Sequence, residues 1–125
     1  MTIQRALDIA DTMKPNMMDR DLKILFLSEI EQLIHQEIIM KHVHTPEQEV
    51  MPAYDEQTDP GTVLNIPDPY SMVYVYWVMS KIDLQNLEYD KYNSDRALFE
   101  NAYDTMHDWW NRTYMPIQRN SQIHI

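Results

Sequence analysis

The chain of 125 residues contains no cysteine and only one glycine. Without cysteine it can have neither a disulfide framework nor a thiolate metal site. With one glycine it has little material for tight β-turns or for loops that cradle phosphates. A chain of this length can bury enough surface to fold as one domain, so the composition predicts a compact protein built mainly from long helices.

Basic residues are also scarce, since 10 Lys and Arg stand against 20 Asp and Glu and give a formal charge of −10. Such a surface repels a phosphate backbone, which disfavours tight nucleic-acid binding. The apolar run from Met72 to Met79 is about half as long as a membrane span requires. The first 16 residues have no apolar segment of the signal-peptide kind, so we expect an intracellular protein with no membrane partner.

Two helices are predicted in the first third of the chain. Apolar residues at spacings of three and four predict a short helix over 2–13, with Thr2 as its N-cap. A second, amphipathic helix is predicted over about 19–41. Leu25 and Ile39 lie on its polar side, which indicates a contact with a second apolar surface. The predicted polar arc holds Asp21, Ser28, Glu29, Glu31, Gln32, His35 and Gln36.

The next segment, from His42 to Pro69, contains five prolines, which exclude helix from most of it. Two short runs, EQEVMPAY and TVLNI, flank the turn-like DEQTDPG, and this arrangement predicts a long β-hairpin-like arm over about 42–68. A structure-poor insertion of this length in a compact domain is usually functional or disordered. The arm is therefore a candidate interaction element.

The third predicted helix is apolar on two sides. It begins with Asp68 as N-cap and Pro69 at the first helical position, and it runs to about Leu87. One explanation is a central helix with neighbours on both sides, and the other is a contact with a second subunit through one of the two apolar arcs. The candidate subunit interface contains Val75, Val78, Met79 and Ile82 of this helix, and Val50, Met51, Val63 and Leu64 of the arm.

A fourth helix is predicted from Asn93 or Ser94 to about Tyr114, after the short polar connection EYDKYNSD. The expected fold is therefore mainly α, a compact bundle of about four helices in a single domain over 1–116. The tail over 117–125 is expected to be flexible. The predicted core contains Leu22, Phe26, Ile30, Ile34, Trp77, Leu84, Phe99, Met106 and Trp109.

Few features of the sequence point to catalysis. Spacings that a metal site could use occur in His42 with His44, Glu31 with His35, and Asp104 with His107. The turn with Asp55, Glu56, Thr58 and Asp59 lacks the register of a calcium loop. A solvated, structural role is favoured for all of them, so we predict no catalytic, cofactor-binding or metal-binding residue and no enzyme. A small metal-dependent enzyme remains the weakest alternative.

Five phrases cover most of the chain, in order, up to about Pro116. They are ALDIADTMKPN, KILFLSEIEQLIHQEII, PAYDEQTD, LNIPDPYSMVYVYWVMSKIDLQNLEYDKYNSDRALFENAYDTM and WWNRTYMP. In the order, spacing and local sequence of these phrases, the chain resembles the small head-tail connector, or adaptor, proteins of tailed bacteriophages and prophages. None of the phrases is a catalytic signature, and the tail after Pro116 matches no part of the pattern.

The resemblance implies a structural virion protein, a compact helical subunit with a protruding loop or hairpin. Such subunits assemble as a ring below the portal, and an isolated subunit can be monomeric. By the layout of the family, the arm from Glu47 to Ile66 and the tail from Ile117 to Ile125 are expected to contact neighbours or the portal. The implied partners are further copies of the chain, the portal protein and tail-side connector proteins, while DNA passes through without specific binding. The implied location is the head-tail junction of the virion, and the bacterial host cytoplasm before assembly.

The acidic charge leaves a second hypothesis open. The chain would then be an acidic helical inhibitor, or binding protein, from a phage or another mobile element, and it would block a basic surface of a host protein.

Overall fold

The computed structural model describes residues 1–117. Its helices are α1 Ile3–Met13, α2 Arg20–Glu37, α3 Met72–Gln85 and α4 Tyr89–Thr113. Two short 3-10 turns, Ile39–Lys41 and Pro46–Glu49, follow α2. The described residues form no β-strand, so the all-α class is confirmed. None of these four helices is long and apolar enough to cross a membrane.

The first two helices begin as predicted. The hydroxyl of Thr2 accepts a hydrogen bond from the N–H of Arg5 at 3.1 Å, and the carboxylate of Asp19 accepts one from the N–H of Asp21 at 3.1 Å. These side chains satisfy backbone donors that the first helical turn leaves unpaired. α2 ends earlier than predicted, at Glu37, and a 3-10 turn takes its place up to Lys41.

α3 begins three residues later than predicted, at Met72 instead of Pro69. Asp68 does not cap it, because the Asp68 carboxylate accepts a hydrogen bond from the hydroxyl of Ser71, and Ser71 itself stands at the N-cap position. The N–H of Tyr70 donates to the carbonyl of Pro67 at 2.9 Å. The residues expected to start the helix are thus used in turns ahead of it.

α4 begins earlier than predicted, at Tyr89, and includes most of the expected polar connection. The hydroxyl of Ser94 donates to the carbonyl of Asp90 at 3.2 Å within the helix, so Ser94 is not a cap. EYDKYNSD contains neither proline nor glycine, so nothing in it breaks a helix. Its polar composition alone does not indicate a loop. The link from α3 is reduced to residues 86–88, where Leu87 adopts a left-handed conformation with φ 58°.

α3 is the central helix of the bundle, since it contacts α1, α2 and α4. This position explains its two apolar sides, and the arrangement found is the first of the two explanations considered above. α4 packs along α3, and within residues 1–117 its backbone does not come close to that of α1 or α2.

The expectation of a β-hairpin-like arm is wrong. The described residues form only two isolated antiparallel bridges, Thr2 with Val63 and His42 with Pro116. The two runs that were expected to pair find other partners. The N–H of Leu64 donates to the carbonyl of Met1 at 2.9 Å, for example, so the second run is held by the start of the chain. We keep the name arm for the irregular segment 42–68.

Most of the predicted core is buried. Ile30, Ile34, Trp77, Phe99 and Met106 belong to the core, and Leu22, Phe26 and Trp109 are half-buried against it. Leu84 is 37% exposed, because it lies in the last turn of α3 beside the exposed link to α4, and its assignment to the core is wrong.

Only the first residue of the predicted tail belongs to the described part of the chain. Ile117 donates its N–H to the carbonyl of Lys41 at 3.0 Å, beside the bridge between His42 and Pro116. Residues 118–125 lie outside the described residues, so the expectation of flexibility there stays a prediction.

Candidate interaction surfaces

The residues expected at a subunit interface separate into two groups. Val75, Val78, Met79, Ile82 and Leu64 are buried inside the chain itself, since other helices and the arm already cover them, and a surface role for these five is wrong. Val50, Met51 and Val63 are 73%, 39% and 67% exposed. The arm therefore keeps three of its four candidate contact residues.

The carboxylate of Glu31 fastens the arm to α2. It accepts hydrogen bonds from the hydroxyl of Tyr74 at 2.6 Å, from the hydroxyl of Tyr54 at 2.9 Å and from the N–H of Asn65 at 2.8 Å. The Tyr74 hydroxyl also accepts a bond from the N–H of Ile66 at 2.9 Å. One side chain of α2 thus holds two separate stretches of the arm and the first turn of α3.

Glu31 is fully buried, although the sequence places it on the polar arc of α2. Burial raises its pKa above the ordinary value, while the hydrogen bonds from Tyr74, Asn65 and Tyr54 favour the ionised form and oppose that rise. Burial and the nearby Glu31 carboxylate also raise the pKa of Tyr74 well above its ordinary value. The tyrosine therefore stays a hydrogen-bond donor at any physiological pH.

Two more polar residues of the same arc face the arm. The hydroxyl of Ser28 accepts a bond from the N–H of Tyr54 at 3.0 Å, and the Nε2 atom of His35 lies 2.7 Å from the carbonyl oxygen of Gln48. Both side chains are buried. Part of the arc expected to face solvent, namely Ser28, Glu31 and His35, is thus covered by the arm, and the arm is fixed at several points along α2.

The arm is also the most acidic stretch of the chain. Residues 42–80 contain neither Lys nor Arg but six carboxylates, namely Glu47, Glu49, Asp55, Glu56, Asp59 and Asp68. All six of these residues are exposed, as are Val50, Met51 and Val63. The arm therefore presents apolar side chains that are surrounded by negatively charged ones.

Two leucines of α2 are left uncovered by the rest of the described chain. Leu25 is 56% exposed and Leu33 is 40% exposed, while Leu22 and Phe26 are half-buried beside them. The position of Leu25 off the main arc was the signal in the sequence for this second surface. Ile39, which gave the same signal, is fully buried in the 3-10 turn.

A polar cluster that the sequence did not indicate joins the end of α1 to α3 and α4. The ammonium group of Lys14 lies 2.5 Å from Asp83 Oδ1 and 3.1 Å from Asp95 Oδ2. Burial raises the pKa of Asp83 to about 6, the Asp95 carboxyl adds to the rise, and Lys14 opposes it. A lysine shared by two buried carboxylates fixes the end of α1 against α3 and α4.

Three of the histidines considered as metal ligands, His35, His42 and His44, have hydrogen-bond partners within the chain. The Nδ1 atom of His42 lies 2.7 Å from the carbonyl oxygen of Ile38, and its Nε2 atom lies 2.7 Å from Asn111 Oδ1. His42 therefore joins the end of α2 to α4. Among residues 1–117 no group of three or more His, Asp or Glu side chains is placed to hold a metal ion.

The acidic turn uses its oxygens locally. Asp55 Oδ1 accepts a hydrogen bond from the N–H of Gln57 at 2.8 Å, and Asp59 Oδ1 accepts one from the N–H of Gly61 at 2.8 Å. These bonds are typical of Asp in turns. The prominent features of the surface are therefore the arm and the uncovered leucines of α2.

Comparison of the chain with protein-family models, with curated proteins and with solved structures found no match.

Proposed function

We propose that the chain is a structural virion protein, a head-tail connector subunit that acts through assembly and not through catalysis. In this proposal the subunits form a ring between the portal and the tail of a bacteriophage or prophage particle, and DNA passes through the ring. The observation that carries the proposal is the arm, which is firmly attached to α2 and presents exposed apolar side chains to a partner.

The attachment of the arm matters for binding. A flexible loop loses conformational entropy when a partner immobilises it, whereas a loop already held in place does not. The bonds from Glu31, Ser28 and His35 hold the arm on α2 before any partner arrives. Val50 and Met51 lie between these attachment points, so they are presented on a fixed backbone.

The charge of the chain is compatible with a conduit for DNA. A protein that lines a channel must let the phosphate backbone slide, and a formal charge of −10 provides no general attraction for phosphate. Together with the sequence phrases that resemble phage connectors, the charge supports the connector proposal.

Binding to the portal tests the proposal. Purified chain is mixed with the portal complex encoded in the same genome, and co-sedimentation is measured. We expect binding that is lost when Val50 and Met51 are both changed to Asp. The matched control changes Met13 and Met17 to Asp, because these residues are 50% and 100% exposed and lie outside the arm. The control should bind like the unchanged chain.

Two results would overturn the connector proposal. One is a portal that binds none of the chain at any concentration. The other is a soluble one-to-one complex with a basic host protein that is weakened by salt, which is the behaviour expected of an acidic inhibitor.

A further inference from the structure

Two buried carboxylates face each other where α3 and α4 form a hairpin. Asp83 lies in the last turn of α3, and its side chain is 0% exposed. Asp95 lies in the first half of α4, and its side chain is 10% exposed. The two carboxyl groups are within hydrogen-bond reach of one another. Because only residues 86–88 link the helices, both groups lie at the closed end of the hairpin.

These carboxylates have few partners. Within residues 1–117, neither oxygen of Asp83 nor Oδ2 of Asp95 accepts a regular hydrogen bond. The ammonium group of Lys14 is the only cation in the same residues that forms an ion pair with either of them, at 2.5 Å from Asp83 Oδ1 and 3.1 Å from Asp95 Oδ2. One ammonium group therefore serves two carboxylates whose acceptor oxygens face each other.

The charges of this group of residues do not balance. We call Lys14, Asp83 and Asp95 the Lys14 cluster. With both carboxylates ionised, the cluster has one net negative charge in a buried place. Burying an unpaired charge is costly, and two carboxylates in contact do not readily ionise together. One proton reduces both costs, because it neutralises the charge and supplies a donor between two acceptors.

Charged side chains beside the cluster have partners of their own. They lie one helical turn from Lys14 or Asp95, next to Asp95, or in the link between α3 and α4. None of them forms an ion pair with a member of the cluster within residues 1–117. Their pairs are Asp11 with Lys23 at 2.8 Å, Glu88 with Lys91 at 2.6 Å, and Arg96 with Glu100 at 3.6 Å.

The titration of the cluster supports a proton on the carboxylates. Burial raises the pKa of Asp83 to about 6, and the Asp95 carboxyl adds to the rise. Burial lowers the pKa of Lys14, but the bonds to Asp83 and Asp95 outweigh burial and leave that pKa above its ordinary value. The ammonium group therefore stays charged at the pH at which the carboxyl group gains or loses its proton.

We propose that Asp83 and Asp95 form a proton-binding site that holds one shared proton, and that loss of this proton loosens the closed end of the α3–α4 hairpin. The proton is taken up from solvent, since the Lys14 side chain beside the site is 17% exposed. When the proton leaves, two buried carboxylates repel each other across the hairpin, and Lys14 alone holds them together. This response to pH does not depend on the proposed connector function.

Carbon-13 NMR of the aspartate carboxyl groups tests the shared proton. The signal of Asp83 should shift in a step at about pH 6. The same step should appear in the signal of Asp95, because the proton bridges the two groups. Asp95→Asn should lower the midpoint of Asp83 by about one pH unit or more, since it removes the facing negative charge. Lys14→Met removes the positive charge and should raise the midpoint by about as much.

The matched control is Glu88→Gln, which removes a carboxylate of the link that pairs with Lys91. It should leave the midpoint of Asp83 unchanged. An Asp95 signal that stays constant through the step would overturn the shared proton, and so would an Asp83 midpoint that does not move in Asp95→Asn. Lys14→Arg keeps the positive charge, so its midpoint should stay close to that of the unchanged chain.

Amide hydrogen exchange tests the loosening of the hairpin. The N–H of Glu88 donates to the carbonyl of Asp83 at 2.9 Å, and the N–H of Tyr92 donates to the carbonyl of Glu88 at 2.9 Å. Both amides therefore report on the closed end. After correction for the intrinsic exchange rate, their protection factors should fall by about tenfold between pH 5 and pH 8. In Asp83→Asn they should not fall.

An amide far from the cluster in the sequence provides the comparison. The N–H of Ile38 donates to the carbonyl of Ile34 at 2.9 Å, at the end of α2, and its protection factor should change less than those of Glu88 and Tyr92. An equal fall at Ile38 would mean that the whole fold loses stability and that the hairpin does not loosen locally. Protection factors of Glu88 and Tyr92 that are equal at both pH values would overturn the loosening as well.

Discussion

Glu31→Ala is the substitution that most directly tests how the arm is attached. It removes the acceptor of three hydrogen bonds and leaves the hydroxyl of Tyr74, the hydroxyl of Tyr54 and the N–H of Asn65 without their partner. A buried donor without a partner costs about 1–3 kcal/mol. Tyr74 is fully buried, whereas Tyr54 is half-buried and Asn65 lies at the surface, so water can replace part of what the latter two lose.

Together these effects should lower the free energy of unfolding by about 3–5 kcal/mol. This figure takes into account that the variant no longer buries a carboxylate, which partly offsets the loss. That is a large part of the roughly 5–15 kcal/mol by which a domain is stable. The free energy of unfolding is measured by urea titration, followed by tryptophan fluorescence and circular dichroism. With an m-value of about 1–3 kcal/mol per molar urea, the midpoint should fall by more than about 1 M.

Glu29→Ala is the matched control, since Glu29 is an exposed residue of the same type on the same helix. Its contact with Lys81 at 3.6 Å is a surface ion pair, which contributes about 0–1 kcal/mol. If Glu31→Ala lowers the free energy of unfolding no more than Glu29→Ala does, then Glu31 does not fasten the arm and our explanation of its burial is incorrect.

The remaining predictions concern α3. Val78→Asp and Ile82→Asp should each leave the isolated chain unfolded by circular dichroism, because both positions are fully buried. A folded variant would mean that the residue lies at the surface and not in the core. Asp83 should make stability depend on pH. Its pKa is raised from 3.8 to about 6 in the folded state, so its contribution is present below pH 4 and lost as the pH rises through 6. The loss is about 1–2 kcal/mol once screening by solvent is allowed for. Asp83→Asn should lack this decline in urea titrations between pH 4 and 7, and an equal decline in both chains would refute the assignment.

The helices of the bundle could be predicted from the sequence because their signals are local. Thr2 and Asp19 cap their helices through bonds to residues two or three positions away. The predicted start of α3 was wrong, although its signal is also local. Asp68 accepts a hydrogen bond from Ser71, and this turn competes with a helix start. A cap and a turn use the same residue types, and the choice between them depends on packing.

The arm could not be predicted in detail because its partners are distant in the sequence. Glu31 bonds Asn65 and Tyr74, residues more than 30 positions away. Helical periodicity places Glu31 on the solvent side, and no local pattern shows that a segment returns to cover it. The same distant contacts decide which apolar residues stay exposed, since the arm covers Ser28, Glu31 and His35 of α2 and leaves Leu25 and Leu33 uncovered.

Electron microscopy of the chain mixed with the portal complex of the same genome tests the central proposal most directly. The connector proposal predicts particles in which an added ring of this chain lies on one end of the portal. Portal particles that remain unchanged at saturating concentrations of the chain would contradict it.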